Sequence, residues 1–273
     1  MIARVNSGNP TVSTVNPLRF LVVRACAIGD FVLHLPALRA LTASYPTARF
    51  TLVGYPETLA LARVFLPVEA IHSIETPPWS HIFETPLNNA PFDAAWVWMK
   101  NPVVADNLKR SGIREVFHAS PFPASGHAAE HLLHTINLPA PEFPDFWDPG
   151  ATRIVLHPGS GSVAKVWPRF RELARLLPEA VVLLGPCESV LDVPNECLSG
   201  LPLAEVAEAL RHCRLFIGND SGITHIAAYW GTPTIALFGA TDPRVWGPIG
   251  RRVTVLEKPS LDDISIDDVR KLL

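Results

Sequence analysis

Residues 216–238 read FIGNDSGITHIAAYWGTPTIALF and contain two apolar runs separated by a small polar turn and a helix-like segment. The runs LFIGND and TPTIALFG are typical of buried strands. ITHIAAYWG, between them, has the length and apolar content of a helix packed on a sheet. The stretch therefore predicts a strand–helix–strand unit, the building block of an open sheet of parallel strands.

The same unit recurs on both sides of this stretch. Near the start, FLVVRACAIGD and FVLHLPALRALTASYP predict a strand, a turn and a helix, and ARFTLVGYP, AIHSIE and DAAWVWM predict further strands. A second series begins at RIVLHPG and continues through RFRELARLLP, AVVLLGP and LAEVAEALRHC. This alternation predicts an α/β protein with two Rossmann-like domains, each with right-handed crossovers between parallel strands.

Composition shifts suggest where the domains begin and end. Residues 1–17 are polar and predict a loose leader, residues 18–148 an N-terminal domain and residues 149–273 a C-terminal domain. The linker is expected within residues 145–152. The closing ISIDDVRKLL predicts an amphipathic helix that packs back across the junction.

Composition and charge also limit the function. The 273 residues are 48% hydrophobic and 18% charged, which fits a compact α/β protein, and the net charge of -3 gives no basic excess for nucleic acid. No apolar run approaches the roughly 18 residues of a membrane span, so any membrane contact is expected to be peripheral. The four cysteines, Cys26, Cys187, Cys197 and Cys213, form no CxxC pair. We therefore expect no metal site and a cytoplasmic location.

The segment 218–222, GNDSG, follows a predicted strand and opens a predicted helix. Unpaired backbone N–H groups and the positive end of the helix dipole favour an anion there, such as a diphosphate. The alternative is structural: Asp220 or Ser221 caps the helix and Gly222 eases the turn.

The segment 157–168, HPGSGSVAKVWP, also lies between a predicted strand and a predicted helix. Its small residues let the backbone approach phosphate oxygens, and Lys165 adds a positive charge. It is not a Walker A loop, because Lys does not directly follow Gly. The alternative is a flexible surface loop with a solvated lysine.

Asp30 ends the first predicted strand segment, at the edge of the sheet that would face the other domain. A carboxylate there could take the proton from an attacking hydroxyl. Alternatively, Asp30 caps a helix that begins at Phe31. The segment has no GxGxxG pattern, which argues against a dehydrogenase.

Other polar and aromatic residues favour structural roles. His127, His131 and His134 lie on or beside one predicted helix without a matching carboxylate or cysteine, so a solvated helix face is expected rather than a metal site. Trp96 and Trp98 could line an acceptor cleft, although strand alternation predicts that at least one packs in the core.

Three blocks, AIGDFVLHLPALRAL, HPGSGSVAKVWP and GNDSGITHIAAYWGTPTIALFGATDPRVWGP, together resemble the ADP-heptose heptosyltransferases of glycosyltransferase family nine. They occur in the family's order, from about residue 20 to the C-terminus. The resemblance implies a GT-B fold, with two Rossmann-like domains facing a central cleft. It also implies metal-independent, inverting transfer of heptose from ADP-heptose to an acceptor sugar in bacterial lipopolysaccharide assembly, at the cytoplasmic face of the inner membrane.

The resemblance further implies roles for individual residues. On the acceptor side, Asp30 matches the family's general base. Most other matches concern the donor: Ser160, Gly161, Ser221 and Gly222 with the diphosphate, Lys165 with phosphate and sugar, Asp220 with the sugar hydroxyls, Glu188 with the ribose and Leu201 with adenine. His225 matches a position whose role is either structural or catalytic.

Several alternatives stay open at this stage. A GT-B transferase or epimerase that uses a UDP-sugar has the same fold, and so does a sugar-nucleotide-binding or scaffold protein without turnover. The N-terminal half has few basic residues for gripping an anionic glycolipid acceptor. Lys100, Arg110 and Arg114 are candidates for that contact, or are simply solvated.

Overall fold

The computed structural model describes residues 16–185, residue 188 and residues 192–273. Residues 1–15 of the predicted leader, and Cys187, therefore lie outside the described residues. Two sheets of parallel strands, one in each half of the chain, form the framework. This confirms the predicted α/β class.

The N-terminal sheet has five parallel strands in the order β3-β2-β1-β4-β5. They are β1 (Arg19–Arg24), β2 (Arg49–Gly54), β3 (Val68–Ser73), β4 (Ala94–Trp98) and β5 (Glu115–Ala119). The helices of this half are α1 (Ile28–Ser44), α2 (Pro56–Leu59), α3 (Val103–Arg110) and α4 (Ala128–His134). The central strands β1 and β4 are almost wholly buried because helices cover both faces.

The C-terminal sheet has six parallel strands in the order β11-β10-β9-β6-β7-β8. They are β6 (Arg153–His157), β7 (Val181–Leu184), β8 (Cys197–Ser199), β9 (Cys213–Asn219), β10 (Thr234–Phe238) and β11 (Val253–Glu257). The helices are α5 (Phe170–Leu176), α6 (Leu203–Arg211), α7 (Gly222–Tyr229), α8 (Pro243–Trp246) and α9 (Ile266–Arg270).

Each sheet has a point where the strand order reverses. In the first sheet the chain runs outward from β1 to β3 on one side and from β4 to β5 on the other, so the reversal lies between β1 and β4. In the second sheet it lies between β6 and β9. Ligands of open parallel sheets bind in the crevice at the carboxyl ends of such strands. The topology thus predicts one crevice in each half.

Helices α1 and α7 join the two halves through a shared hydrophobic core that contains Phe31, Leu35, Ile226 and Tyr229. Their first turns come very close together. A Cβ atom built on Gly222 would lie 2.6 Å from Cβ of Ile28 and 3.1 Å from the backbone nitrogen of Gly29. Glycine is therefore required at position 222 for the two helix N-termini to meet.

The connection between the halves has no regular structure and lies against the C-terminal half. Asp145 makes a two-bond ion pair with Arg252, at 2.8 and 3.0 Å. The amides of Phe146 and Asp148 donate to the carbonyls of Trp230 and Arg211, respectively. These bonds fix the connection in place rather than leaving it a free linker.

The C-terminal segment differs from the prediction. Its helix, α9, does not pack across the junction: Val269 and Ile264 belong to a core cluster formed by the C-terminal sheet, with Trp167 and Phe170. The physical reason is that one face of this sheet would otherwise expose its apolar side chains. Helix α3 and the edge strands β5, β8 and β11 are absent from the sequence-based prediction.

Candidate active site

A cavity of about 320 Å³ lies between the two halves, at the carboxyl edges of both sheets. Both halves contribute to its walls. The lining residues are Ala27, Gly29, Asp30 and Leu33 from the first half, and Ser160, Gly161, Ser162, Lys165, Asp220, Ser221, Gly222, His225 and Trp246 from the second. The three segments singled out in the sequence therefore meet at one cavity.

The loop after β6 is held in place by Asn219, the last residue of β9. This side chain is fully buried, and its Nδ2 donates to the carbonyl of Pro158 at 2.7 Å. Its Oδ1 accepts from the backbone N–H of Trp167 at 3.0 Å. Since these bonds clamp both ends of the loop, the segment from Gly159 to Val166 is anchored rather than free.

Asp220 and Lys165 form the main ion pair of the cavity, with Nζ 2.7 Å from Oδ2. The hydroxyl of Thr241 also donates to Oδ2, and Nε2 of His225 lies 3.9 Å from Oδ1. Burial raises the pKa of Asp220, but the contacts with His225, Lys165 and Thr241 outweigh it and hold the pKa at about 2. The carboxylate is therefore charged at any physiological pH.

Ser221 is the N-cap of α7, as the structural alternative predicted. Its hydroxyl accepts from the backbone N–H of Thr224 at 3.4 Å. The backbone at Ser221 and Gly222 still lines the cavity. The start of an eight-residue helix with a positive dipole end thus borders the site.

The position of Asp30 differs from the prediction of a turn before a helix at Phe31. Helix α1 begins at Ile28, and its N-cap is Ala27, whose side chain makes no capping bond. Asp30 is the third residue of the helix and does not cap it. The helix starts earlier because Gly29 allows close packing: a Cβ there would lie 3.1 Å from the ring of His225. Half-buried Asp30 faces the cavity from the first half.

Glu188 and Leu201 do not line the cavity. Oε2 of Glu188 accepts from the N–H of Gly185 at 2.8 Å, and Oε1 lies 3.8 Å from Nε2 of His157. That carboxylate fills the space beside Gly159, where a Cβ atom would collide with it. Leu201 is partly buried and packs against the shared core.

The basic candidates for acceptor binding are exposed and do not line the cavity: Lys100, Arg110 and Arg114. Trp96 and Trp98 are both core residues, 5% and 2% exposed. His127 is not on a solvated face. It caps α4, and its Nε2 lies 3.0 Å from the carbonyl oxygen of Gly247 in the other half.

Two further searches cover only the described part of the chain. Within it, no group of three or more His, Cys, Asp or Glu side chains has the arrangement of a metal site. No helix in these residues has the length and apolar character needed to span a bilayer.

A larger cavity, of about 550 Å³, lies within the N-terminal half between strands β2 and β3 and residues 78–92. Its walls include Trp79, Phe92 and the exposed His72. It contains none of the predicted site residues and does not reach the second half, so the interdomain cavity is the better candidate.

Sequence reasoning missed Thr241 and Trp246. Thr241 follows β10, the neighbour of β9, so the carboxyl-edge rule that located Asp220 applies to it as well. Trp246 lies on the short helix α8, which was not predicted. Its ring packs edge-to-face with Phe122 of the first half at a centroid distance of 6.4 Å, a contact that has no local sequence signal.

Comparisons with known proteins agree with this geometry. Residues 140–265 match the family model described as glycosyltransferase family 9 (heptosyltransferase). Lipopolysaccharide heptosyltransferase 1 of Pseudomonas aeruginosa is 28% identical over 300 aligned positions, covering 86% of this chain and 82% of that protein. Lipopolysaccharide heptosyltransferase 3 of Escherichia coli is 32% identical over 117 positions, covering 36% of this chain and 34% of that protein.

Solved structures confirm the predicted GT-B fold. The E. coli heptosyltransferase WaaC with ADP superposes with a TM-score of 0.74 at 18% identity, covering 93% of this chain and 98% of that one. The E. coli ADP-heptose lps heptosyltransferase II gives 0.73 at 19% identity, with 93% and 97% covered. The chain is therefore a glycosyltransferase that carries a family-nine domain and is related to the lipopolysaccharide heptosyltransferases.

Proposed function

We propose that this protein transfers heptose from ADP-heptose to a hydroxyl of an acceptor sugar during lipopolysaccharide assembly, with inversion and without a metal ion. One observation carries the proposal. Asp30, from the first half, lines the same cavity as the Lys165–Asp220 ion pair and the first turn of α7, from the second half. A base and an anion-binding surface thus face each other across a space of about 320 Å³.

The donor belongs on the C-terminal half. Ser160, Gly161, Ser221 and Gly222 border the cavity with small side chains and backbone N–H groups, which suit a diphosphate. The heptosyltransferases named above are relatives by sequence, and two solved structures of the same fold hold ADP and ADP-2-deoxy-2-fluoro heptose. These matches favour an adenine nucleotide sugar over a UDP-sugar.

The proposed chemistry is a single displacement. The acceptor hydroxyl attacks C1 of the heptose as Asp30 takes its proton, and the bond from C1 to the phosphate oxygen breaks. The electron pair of that bond leaves with ADP. Attack from the face opposite the leaving group inverts the anomeric configuration. Lys165 and the first turn of α7 stabilise the charge on the departing ADP, the role a metal ion has in other transferases.

Asp220 binds sugar hydroxyls in this proposal, because its carboxylate is charged and lies at the cavity wall. His225, also in the wall, keeps Asp220 and the first turn of α1 in register. Glu188 binds the ribose and Leu201 lies near the adenine. Glu188 has to turn out of its contact with Gly185 to do so.

The proposal divides the chain at residue 148. Residues 18–148 bind the glycan or glycolipid acceptor, and residues 149–273 bind the nucleotide sugar. Because the acceptor is membrane-bound in lipopolysaccharide assembly, the protein works in the cytoplasm with peripheral contact at the inner membrane.

Nucleotide selectivity tests the donor assignment. The thermal unfolding midpoint is measured with ADP, UDP and GDP, since a ligand at 100 times its Kd stabilises by about 2.7 kcal/mol. ADP should raise the midpoint by several degrees, and Lys165→Met should reduce that rise. The matched control is Lys109→Met, which removes an exposed lysine on α3. A rise with UDP and none with ADP would refute the heptose donor.

A further inference from the structure

Arg24 is a buried cation at the crevice of the N-terminal sheet. It is the last residue of β1, and its Nη1 donates to the carbonyl of Trp98, the last residue of β4, at 3.3 Å. Strands β1 and β4 are the pair between which the strand order of this sheet reverses. Arg24 therefore occupies the position at which an open parallel sheet binds its ligand.

The guanidinium is incompletely satisfied. Arg24 is 6% exposed, and Nε has no hydrogen-bond partner. Among the described residues, no carboxylate forms an ion pair with it. A buried charge without a counter-ion is costly, and Nε belongs to the edge of the guanidinium that grips carboxylates and phosphates in a two-bond fork.

The surroundings of Arg24 are also short of partners. His34, one helical turn after Asp30, is fully buried, and neither of its ring nitrogens has a hydrogen-bond partner. Its ring packs edge-on against Trp98 at 4.1 Å. His34 cannot neutralise Arg24, because burial, together with the nearby guanidinium, holds its pKa well below the ordinary value. The pocket therefore provides no negative charge of its own.

Arg24 lies close to the proposed base. Burial raises the pKa of the Cys26 thiol to about 12, while Arg24 lowers it and Asp30 raises it. Both the guanidinium and the carboxylate are thus near enough to act on one thiol. An anion held by Arg24 would sit beside the hydroxyl that Asp30 deprotonates.

We infer that Arg24 binds an anionic group of the acceptor, a carboxylate or a phosphate, next to the attacking hydroxyl. The inference rests on the proposed function and specifies the acceptor that this half accepts. It also explains why the exposed Lys100, Arg110 and Arg114 are not needed at the cavity. Selectivity comes from one buried charge that only a correctly seated acceptor reaches.

Chemically altered acceptors test this inference. Heptose transfer from ADP-heptose is measured on lipopolysaccharide from a heptose-deficient strain, on the same material with its carboxyl groups methyl-esterified, and on the same material treated with phosphatase. For the wild-type protein, one of the two treatments should lower kcat/KM at least about 10-fold, as expected for a lost charge-assisted bond. The treatment that does so distinguishes the carboxylate from the phosphate.

Variants show whether Arg24 is the contact. Arg24→Gln should lower kcat/KM on the untreated acceptor by about 10- to 100-fold and should be insensitive to the effective treatment, with the KM for ADP-heptose unchanged. Arg24→Lys keeps the charge and should fall between the wild type and Arg24→Gln. Arg171→Gln, which removes an exposed arginine on α5, should behave like the wild type.

Two results would overturn the inference. One is a wild-type protein that transfers equally well to both treated acceptors, a result that needs no variant to fold. The other is an Arg24→Gln protein with the wild-type sensitivity to acceptor treatment. Failure of the proposed function is distinct, since the wild-type protein would then transfer no heptose to the untreated acceptor.

Discussion

Nζ of Lys165 lies 2.7 Å from Oδ2 of Asp220, so a short ion pair ties the loop after β6 to the end of β9. The pair lies at the reversal point of the C-terminal sheet. It keeps one positive and one negative group side by side in the cavity wall, which suits a donor that has both phosphate oxygens and sugar hydroxyls.

Replacing Lys165 should damage the chemical step. Lys165→Met removes a charge that would stabilise the departing ADP, and we expect kcat to fall by about 100-fold or more, as with other lost stabilising donors. The pKa of Asp220 should also rise from about 2, because one of the contacts that lower it is gone. Steady-state kinetics and a carbon NMR titration of the carboxylates measure the two effects. Unchanged kcat would remove Lys165 from the proposed mechanism.

Gly222 should not tolerate a side chain. In Gly222→Ala the new Cβ would collide with Ile28, so the α1–α7 contact has to open, and we expect a loss of about 1–3 kcal/mol in unfolding free energy. Urea unfolding measures this. Gly161→Ala is the matched control, because a Cβ there meets no atom within 4 Å. Equal stability of the two variants would contradict the described packing.

His34 should make the protein sensitive to mild acid. Burial, and then the charge of Arg24, holds its folded-state pKa well below the ordinary 6.5. Below pH 6.5 the unfolded chain therefore binds a proton that the folded chain does not. Stability should fall as the pH drops below 6.5, by up to about 1.4 kcal/mol per pH unit from this residue, and should lose this dependence above about pH 7.

Urea unfolding at pH 7.5 and 5.5 tests the contribution of His34. The difference in unfolding free energy between the two pH values should shrink in His34→Leu and remain in His134→Leu, which alters an exposed histidine of α4. Some dependence should persist, because burial also lowers the pKa of His157. An undiminished difference in His34→Leu would show that His34 titrates normally.

The framework of parallel strands could be predicted because a strand covered on both faces is a continuous apolar run. Strands β4 and β10 are buried at every position and were recognised. The edge strand β5 was not, because EVFHA is only partly buried and has no such run. Helix α9 was recognised, but its packing partner depends on which sheet face remains uncovered, and the local sequence does not encode that.

The site could be predicted in part for a related reason. Lys165 and Asp220 each follow a strand, and carboxyl ends of neighbouring parallel strands meet at one edge. Thr241 obeys the same rule, but a lone threonine gives no chemical signal. Trp246 and the buried charge of Arg24 become meaningful only through contacts with distant residues, Phe122 and Trp98.

Asp30 gives the most direct test of the central claim, that this cavity transfers heptose with a base from one half and a donor site from the other. Heptose transfer from ADP-heptose is measured for the wild-type protein, Asp30→Asn and Asp106→Asn, a control on the exposed face of α3. We predict that Asp30→Asn lowers kcat by about 1,000-fold, within the range for a lost general base, while ADP affinity and the control stay at wild-type values. Wild-type transfer by Asp30→Asn would contradict the account.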